Sequence, residues 1–226
     1  MDLDLFNWFN SWNGRFAGLD VLLGLATTNM VKSVPFMMGV WGLWFWPKTP
    51  EDRRRMRDAL VATLLLTVPI IVLTRAIANF APYSPRPIHT PGLHLQLFEG
   101  QNTDVLDRWS SMPSDHASLF MGLAVAFLMI HRTLGVFFVL WAIGVSSVPR
   151  IVLGLHWPSD VLVGWCLGAG LMLVLMRPAT RLVERSNIVP LLEQREALGY
   201  PLLFLATFEV ARMFQSTRGL IELLVM

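Results

Sequence analysis

The apolar residues of this chain gather into long blocks, and that distribution decides what it can fold into. A helix needs about 20 apolar residues to cross roughly 30 Å of hydrocarbon. Candidates run over Val34–Trp46, Ala59–Phe80, Ala117–Ile130, Leu134–Leu155 and Val161–Met176, the first and third being short and extending into their flanks. A sixth, Leu198–Phe214, is interrupted by Glu209 and Arg212, which are expected to pair with each other. One such block fits a buried helix of a soluble protein, but five in one chain predict an integral membrane protein. Lipid offers no partner for exposed backbone, so the spans are helices. The expected fold is all-α, a polytopic bundle of five to six spans with short interfacial helices, forming one domain over 1–226.

Charge sets the orientation. Lys48, Arg53, Arg54, Arg55 and Arg57 crowd one loop, Arg132 lies in a second, and Arg177, Arg181, Arg185 and Arg195 follow the fifth block. Five successive crossings put these three connections on one side, which the positive-inside rule makes cytoplasmic. The arginine run is too brief, and too enclosed between spans, for a nucleic-acid surface. Opposite lie the N-terminus, the segment 81–112 and the connection around His156. The acidic start "MDLDLF" agrees and lacks the basic leader of a signal peptide.

Several local readings follow. Residues 1–33 read as interfacial, with "FNWFNSWNGRF" and the later "WGLWFWPK" as aromatic anchors. The tail "GQNTDVLDRW" of the long outer connection suits a short surface helix, and 177–226 reads as a charged cytoplasmic segment with the possible sixth span. Gly164 and Gly168 have the small-xxx-small spacing that lets helices approach closely. Cys166, the sole cysteine, reads as a packing residue.

Three polar clusters share the outer face: "YSPRP" with Arg86, "PSDH" from Pro113 to His116, and "RIVLGLHWPSD" with Arg150, His156 and Asp160. Ionisable residues at a membrane border are costly and are functional candidates. Two arginine forks match phosphate oxygens. Ser114 caps an apolar helix whose first N–H groups suit an anion. Asp160 stands four residues after His156, where a carboxylate can fix the imidazole tautomer, and His116 offers a second imidazole as general acid. Together they point to phosphoryl transfer through a phosphohistidine, with no metal and no other cofactor.

These residues resemble the signature of the type 2 phosphatidic acid phosphatase (PAP2) superfamily, membrane lipid phosphatases related to vanadium haloperoxidases. That signature runs Lys-x6-Arg-Pro, Pro-Ser-Gly-His and Ser-Arg-x5-His-x3-Asp. Arg86-Pro87, then Pro113, Ser114 and His116, then Arg150, His156 and Asp160 match it in order and spacing, within a catalytic core over 57–176. The resemblance implies His156 as nucleophile, oriented by Asp160, with His116 as general acid and Arg86, Arg150 and Ser114 around the phosphoryl group.

Three positions depart from it. The family lysine is Asn79, which brings a hydrogen bond without charge. Arg75, one turn deeper, either snorkels outward as the replacement cation or pairs with a buried acceptor. The family glycine is Asp115, expected to face away or bind a loop cation. The serine before Arg150 is Pro149. "PSDHA" also resembles the bacterial undecaprenyl-diphosphate phosphatases of the superfamily.

The implied activity is hydrolysis of a lipid phosphate or diphosphate, best undecaprenyl diphosphate, at the periplasmic face of a bacterial inner membrane. Phosphatidic acid and phosphatidylglycerol phosphate compete as substrates. The alternatives are a phosphotransferase using a lipid or glycolipid acceptor, and a non-catalytic lipid-binding or transport protein. A haloperoxidase ranks last. The expected partners are the lipid substrate and membrane lipids, without nucleic acid; oligomeric state is not legible. His131 reads as interfacial, Arg108 as a loop anchor, and His89 and His94 as solvated loop residues or head-group contacts.

Overall fold

A computed structural model describes residues 1–106 and 109–217. All regular elements among them are helical: α1 Asp2–Asn10, α2 Ala17–Thr27, α3 Asn29–Phe45, α4 Pro50–Phe80, α5 Asp115–Ile130, α6 Arg132–Trp141, α7 Val148–Val152, α8 Pro158–Ser186, α9 Ile188–Gln194 and α10 Glu196–Ala211. A π-helical turn, Ala142–Ser147, joins α6 to α7, and a 3-10 turn, Pro87–His89, follows Arg86. Arg108 and the terminal "RGLIELLVM" lie outside the described residues.

Each expected block is a helix, with shifted bounds. The arginines assigned to a loop open α4, because Thr49 caps it by accepting from Asp52 N at 3.2 Å, with Pro50 first and Glu51 and Asp52 in the first turn. The 31 residues of α4 span about 46 Å. Among the described residues, only α4, the continuous Arg132–Val152 run and α8 are long and apolar enough by themselves to cross a membrane; α2 and α3, bent by 64° at Thr28, make a fourth if taken together. At 16 residues, α5 reaches about 24 Å and falls short. It lies at the centre, packed against α4, α6 and α8, and is buried along nearly its whole length. Its apolar sequence therefore answers to protein neighbours more than to lipid. Outward-facing Leu65, Val68, Val72, Leu162, Leu173 and Val174 give the bundle an apolar exterior.

Some local expectations fail. "GQNTDVLDRW" contains no helix among its described residues, and Cys166 faces outward from α8. Glu209 accepts from Thr217 Oγ1 at 2.9 Å, while Arg212 lies over the Phe208 ring. The N-terminal segment is partly helical, as expected, but it does more than anchor. Phe6 is wholly buried against Trp157, Asp2 accepts from Ser159 N and Oγ, and Asn10 Nδ2 donates to Val152 O. It clamps the loop that carries His156.

The close approach of α5 and α8 depends on the two glycines. A Cβ on Gly164 would come 2.8 Å from Ser114 O, and one on Gly168 would come 1.9 Å from Ser118 O, both backbone atoms that have little room to yield. Gly170 has nothing within 4 Å of that point. Gly168→Ala is therefore expected to lower stability in detergent by about 1–3 kcal/mol, with Gly170→Ala nearly neutral. Thermal unfolding of the two variants checks this; equal stability would mean the backbones do not meet.

Candidate active site

The three clusters converge because α4, α5 and α8 each present one end to the same place. Ser114 N donates to Asp160 O at 3.1 Å, which joins the starts of α5 and α8 directly. Ser114 Oγ accepts from Ala117 N at 3.5 Å, so its hydroxyl serves the cap. That leaves the first N–H groups of α5 without intrahelical acceptors, as at any helix start. Across from it, Gly154 turns the chain with φ +71°, and Leu155 N and His156 N both donate to Arg150 O.

His156 is buried. Its Nδ1 lies 2.9 Å from Ser111 O. A carbonyl only accepts, so Nδ1 carries the proton and Nε2 keeps its lone pair. Nε2 faces Arg86 Nη1 at 3.1 Å. Asp160 was expected to orient the imidazole, and it stands within ion-pair reach of the ring while its hydrogen bonds go to other groups. Its Oδ2 is 3.7 Å from Nδ1, within ion-pair reach but beyond a hydrogen bond, and instead accepts from Trp157 N at 2.8 Å and from the Ser111 hydroxyl. Ser111 is thus the group between carboxylate and imidazole. No spacing rule marks it, although it stands two residues before "PSDH". Desolvation holds the His156 imidazole well below its ordinary pKa, with Asp160 opposing.

Arg86 donates to Leu155 O at 2.5 Å and to Ser110 O at 3.3 Å. Burial lowers its pKa to about 10, against the pull of Asp115 and Asp160, so it stays charged at neutral pH. Arg150 is buried, and its guanidinium has no hydrogen-bond partner among the described residues. It sits on the wall of a cavity of about 780 Å³, with His116, Asp115, Arg75, Trp109, Thr27 and Asn29. His116 Nε2 lies 3.3 Å from Asn29 Oδ1, a second contact that the sequence did not announce. A larger cavity, about 1280 Å³, lies at the other end among Lys48, Arg55, Arg177 and Arg181, far from the histidine pair.

The departures from the signature have structural answers. Arg75 forms an ion pair with Asp115, and its guanidinium lies 4.6 Å from the Trp109 ring centre. Asp115 therefore meets a cation on α4, not one in a loop. Asn79 stands apart, exposed beside a separate 320 Å³ hollow lined by Arg75, Tyr83 and Ser110. Pro149 lacks the N–H that an α-helix would use there, and the helix widens into the π turn before it. Outside the cluster, His131 Nδ1 accepts from Leu134 N at the far end, His89 Nε2 contacts Val105 O, and His94 is exposed.

At one end of the helical bundle, buried His156 and half-buried His116 stand among the arginines Arg86, Arg150 and Arg75. Residues 59–183, more than half of the chain, match the PAP2 superfamily, and the chain belongs to it. It is 23% identical over 168 residues to "Putative undecaprenyl-diphosphatase YbjG" of Escherichia coli (strain K12), covering 74% of this chain and 77% of that one. It is 22% identical over 196 residues to "Bacitracin transport permease protein BcrC" of Bacillus licheniformis, covering 87% and 89%. No solved structure matches it.

With its pKa depressed, His156 gains a proton only when the pH falls far below the ordinary imidazole value. Its ring is expected to stay neutral, with the proton on Nδ1, down to about pH 5. Nitrogen-15 NMR of histidine-labelled protein, assigned with His156→Ala, checks this; titration near pH 6.5 would contradict the buried geometry.

Proposed function

We propose that this PAP2 protein is a phosphatase of lipid phosphates or diphosphates, with undecaprenyl diphosphate as the preferred substrate. The observation that carries the reading is the set of groups around the Arg150 cavity. A buried guanidinium without a hydrogen-bond partner among the described residues faces it, His116 lines it, and His156 Nε2 directs its lone pair at Arg86 Nη1, 3.1 Å away. The name of the Escherichia coli relative supports the diphosphate substrate.

In this reading Arg86 and Arg150 bind the phosphoryl oxygens, and Arg86 turns from His156 to the substrate. Nε2 then attacks phosphorus while the bond from phosphorus to the leaving oxygen breaks, and His116 gives that oxygen a proton. Water next attacks the phosphohistidine, His116 takes back a proton, and phosphate leaves with His156 restored. Asp160, through Ser111 and by its charge, favours the imidazole as positive charge develops on it. The arginines that open α4, with Arg132, Arg177 and Arg181, lie at the other end, which by the positive-inside rule supports a site at the periplasmic face of the inner membrane.

Purified protein with excess chelator is expected to release phosphate from undecaprenyl diphosphate faster than from phosphatidic acid or phosphatidylglycerol phosphate. His156→Ala should reduce release by about a thousandfold or more. Release unaffected by that change would end the phosphohistidine reading. Transfer of the group to an added lipid alcohol in place of water would make the protein a phosphotransferase.

The Arg75–Asp115 pair generates a second test. Arg75→Ala strands a carboxylate beside the bound phosphate and is expected to lower kcat/KM by about tenfold or more. Arg75→Ala with Asp115→Asn should recover much of that loss if Arg75 acts as counter-ion. No recovery would make Arg75 itself a phosphate ligand.

A further inference from the structure

The larger cavity, at the end of the bundle opposite the histidines, has no part in the proposed reaction. Its position follows from unequal helix lengths. α5 stops at Ile130, while its neighbour α8 runs on to Ser186 and its other neighbour α4 starts at Pro50. The space beyond the end of α5 therefore stays open between the two longer helices. This hollow measures about 1280 Å³, more than the roughly 300–1,000 Å³ of ordinary small-molecule pockets.

Its lining has two parts. Buried Met176 and half-buried Met56, Ala59 and Ile130 make an apolar floor, and the exposed cations Lys48, Arg55, Arg177 and Arg181 stand around it. The positive-inside rule accounts for cations at this end of the bundle, but not for their gathering around an apolar floor. Arg55 is held by Glu51 at 2.7 Å, whereas Lys48, Arg177 and Arg181 have no carboxylate within ion-pair distance among the described residues. Asp52 and Glu184 also line the hollow, and with Glu51 they leave the four cations one positive charge in excess. That balance suits a phosphodiester, with its single negative charge, better than a phosphomonoester, which carries nearly two. His131 adds a neutral donor: its Nδ1 accepts from Leu134 N, so Nε2 carries the proton. Exposed Trp46 lies on the same rim, and tryptophan at a membrane border sits at head-group level.

We propose that this hollow is a binding site for an anionic phospholipid of the leaflet on that side. Arg177 and Arg181, one turn apart on α8, take the phosphodiester together with Lys48, and the start of the acyl chains lies on the methionine floor. Basic pockets between membrane helices hold anionic head groups in this way. The apolar floor favours a lipid over a free phosphate, which would gain nothing from it. A lipid seated there touches α4, α5 and α8 at once and so ties together the three helices whose opposite ends carry the histidines. The proposal stands apart from the phosphatase reading.

The test uses the full chain in an uncharged detergent at about 0.15 M ammonium acetate, where exposed charges more than about 8 Å apart are largely screened. Phosphatidylglycerol, phosphatidylcholine and glycerol 3-phosphate are each titrated. Bound ligand is counted by native mass spectrometry, and thermal unfolding is followed in parallel. Phosphatidylglycerol is expected to bind about tenfold or more tighter than phosphatidylcholine and to raise the unfolding temperature. Arg177→Gln with Arg181→Gln should weaken that binding by about tenfold or more. Both side chains are exposed, so the unfolding temperature without lipid should hold. Arg185→Gln with Arg195→Gln removes the same charge from exposed positions outside the hollow and should change binding little. Equal loss in the two double variants would reduce the effect to the general charge of this face, and no loss in either would put the lipid elsewhere. Each of those results overturns the proposal. So does phosphatidylcholine or glycerol 3-phosphate binding as tightly as phosphatidylglycerol.

Discussion

The backbone contact between α5 and α8 is the constraint on which the site depends. Gly164 and Gly168 let α8 lie against Ser114 and Ser118 of α5, closer than any side chain permits. Both helices begin at the same level, where Ser114 N meets Asp160 O. The chain just before α5 therefore lies against the chain just before α8. Ser111 O can receive His156 Nδ1, and the Ser111 hydroxyl can reach Asp160, only because these starts are in register. A bundle with one Cβ more between the helices would hold the same residues too far apart to share hydrogen bonds. Packing in the apolar interior thus sets the tautomer of an imidazole at the rim.

The sequence made much of this legible, for physical reasons. Long apolar runs can satisfy their backbone in lipid only as helices, so the helical class and most element positions follow from composition along the chain. Arg150, His156 and Asp160 lie within one turn-and-helix unit, so their spacing carries geometric meaning. What stayed hidden depends on contacts between remote segments. Ser111 and Asn29 each act through one or two atoms that meet a remote segment, and no periodicity marks such a contact. Spacing and the family signature both pair Asp160 with His156, but neither can show that Trp157 N and Ser111 compete for the same carboxylate oxygen. The span count is ambiguous for a similar cause. Residues 115–130 of α5 are apolar enough for lipid, yet their neighbours are other helices.

The two departures on α4 and α5 form one change. Moving the cation from position 79 to 75 puts it one turn deeper along α4 and brings it to the first residue of α5. A glycine at 115 would take the carboxylate away from that half-buried guanidinium, which lies over the Trp109 ring. An aspartate there closes an ion pair and also stands at a helix N-terminus, where a negative charge is favoured. Conversely, Asp115 without Arg75 would place a bare carboxylate on the wall of an anion cavity. Each substitution is unfavourable alone and acceptable with the other, which explains how the carboxylate of "PSDH" coexists with the arginines around it. The ion pair has a consequence for the field: Arg75 is neutralised by its partner, so the positive charge of the site falls to Arg86 and Arg150. The centre of positive charge accordingly moves away from Asn79 and toward His116, which lines the same cavity as Arg150.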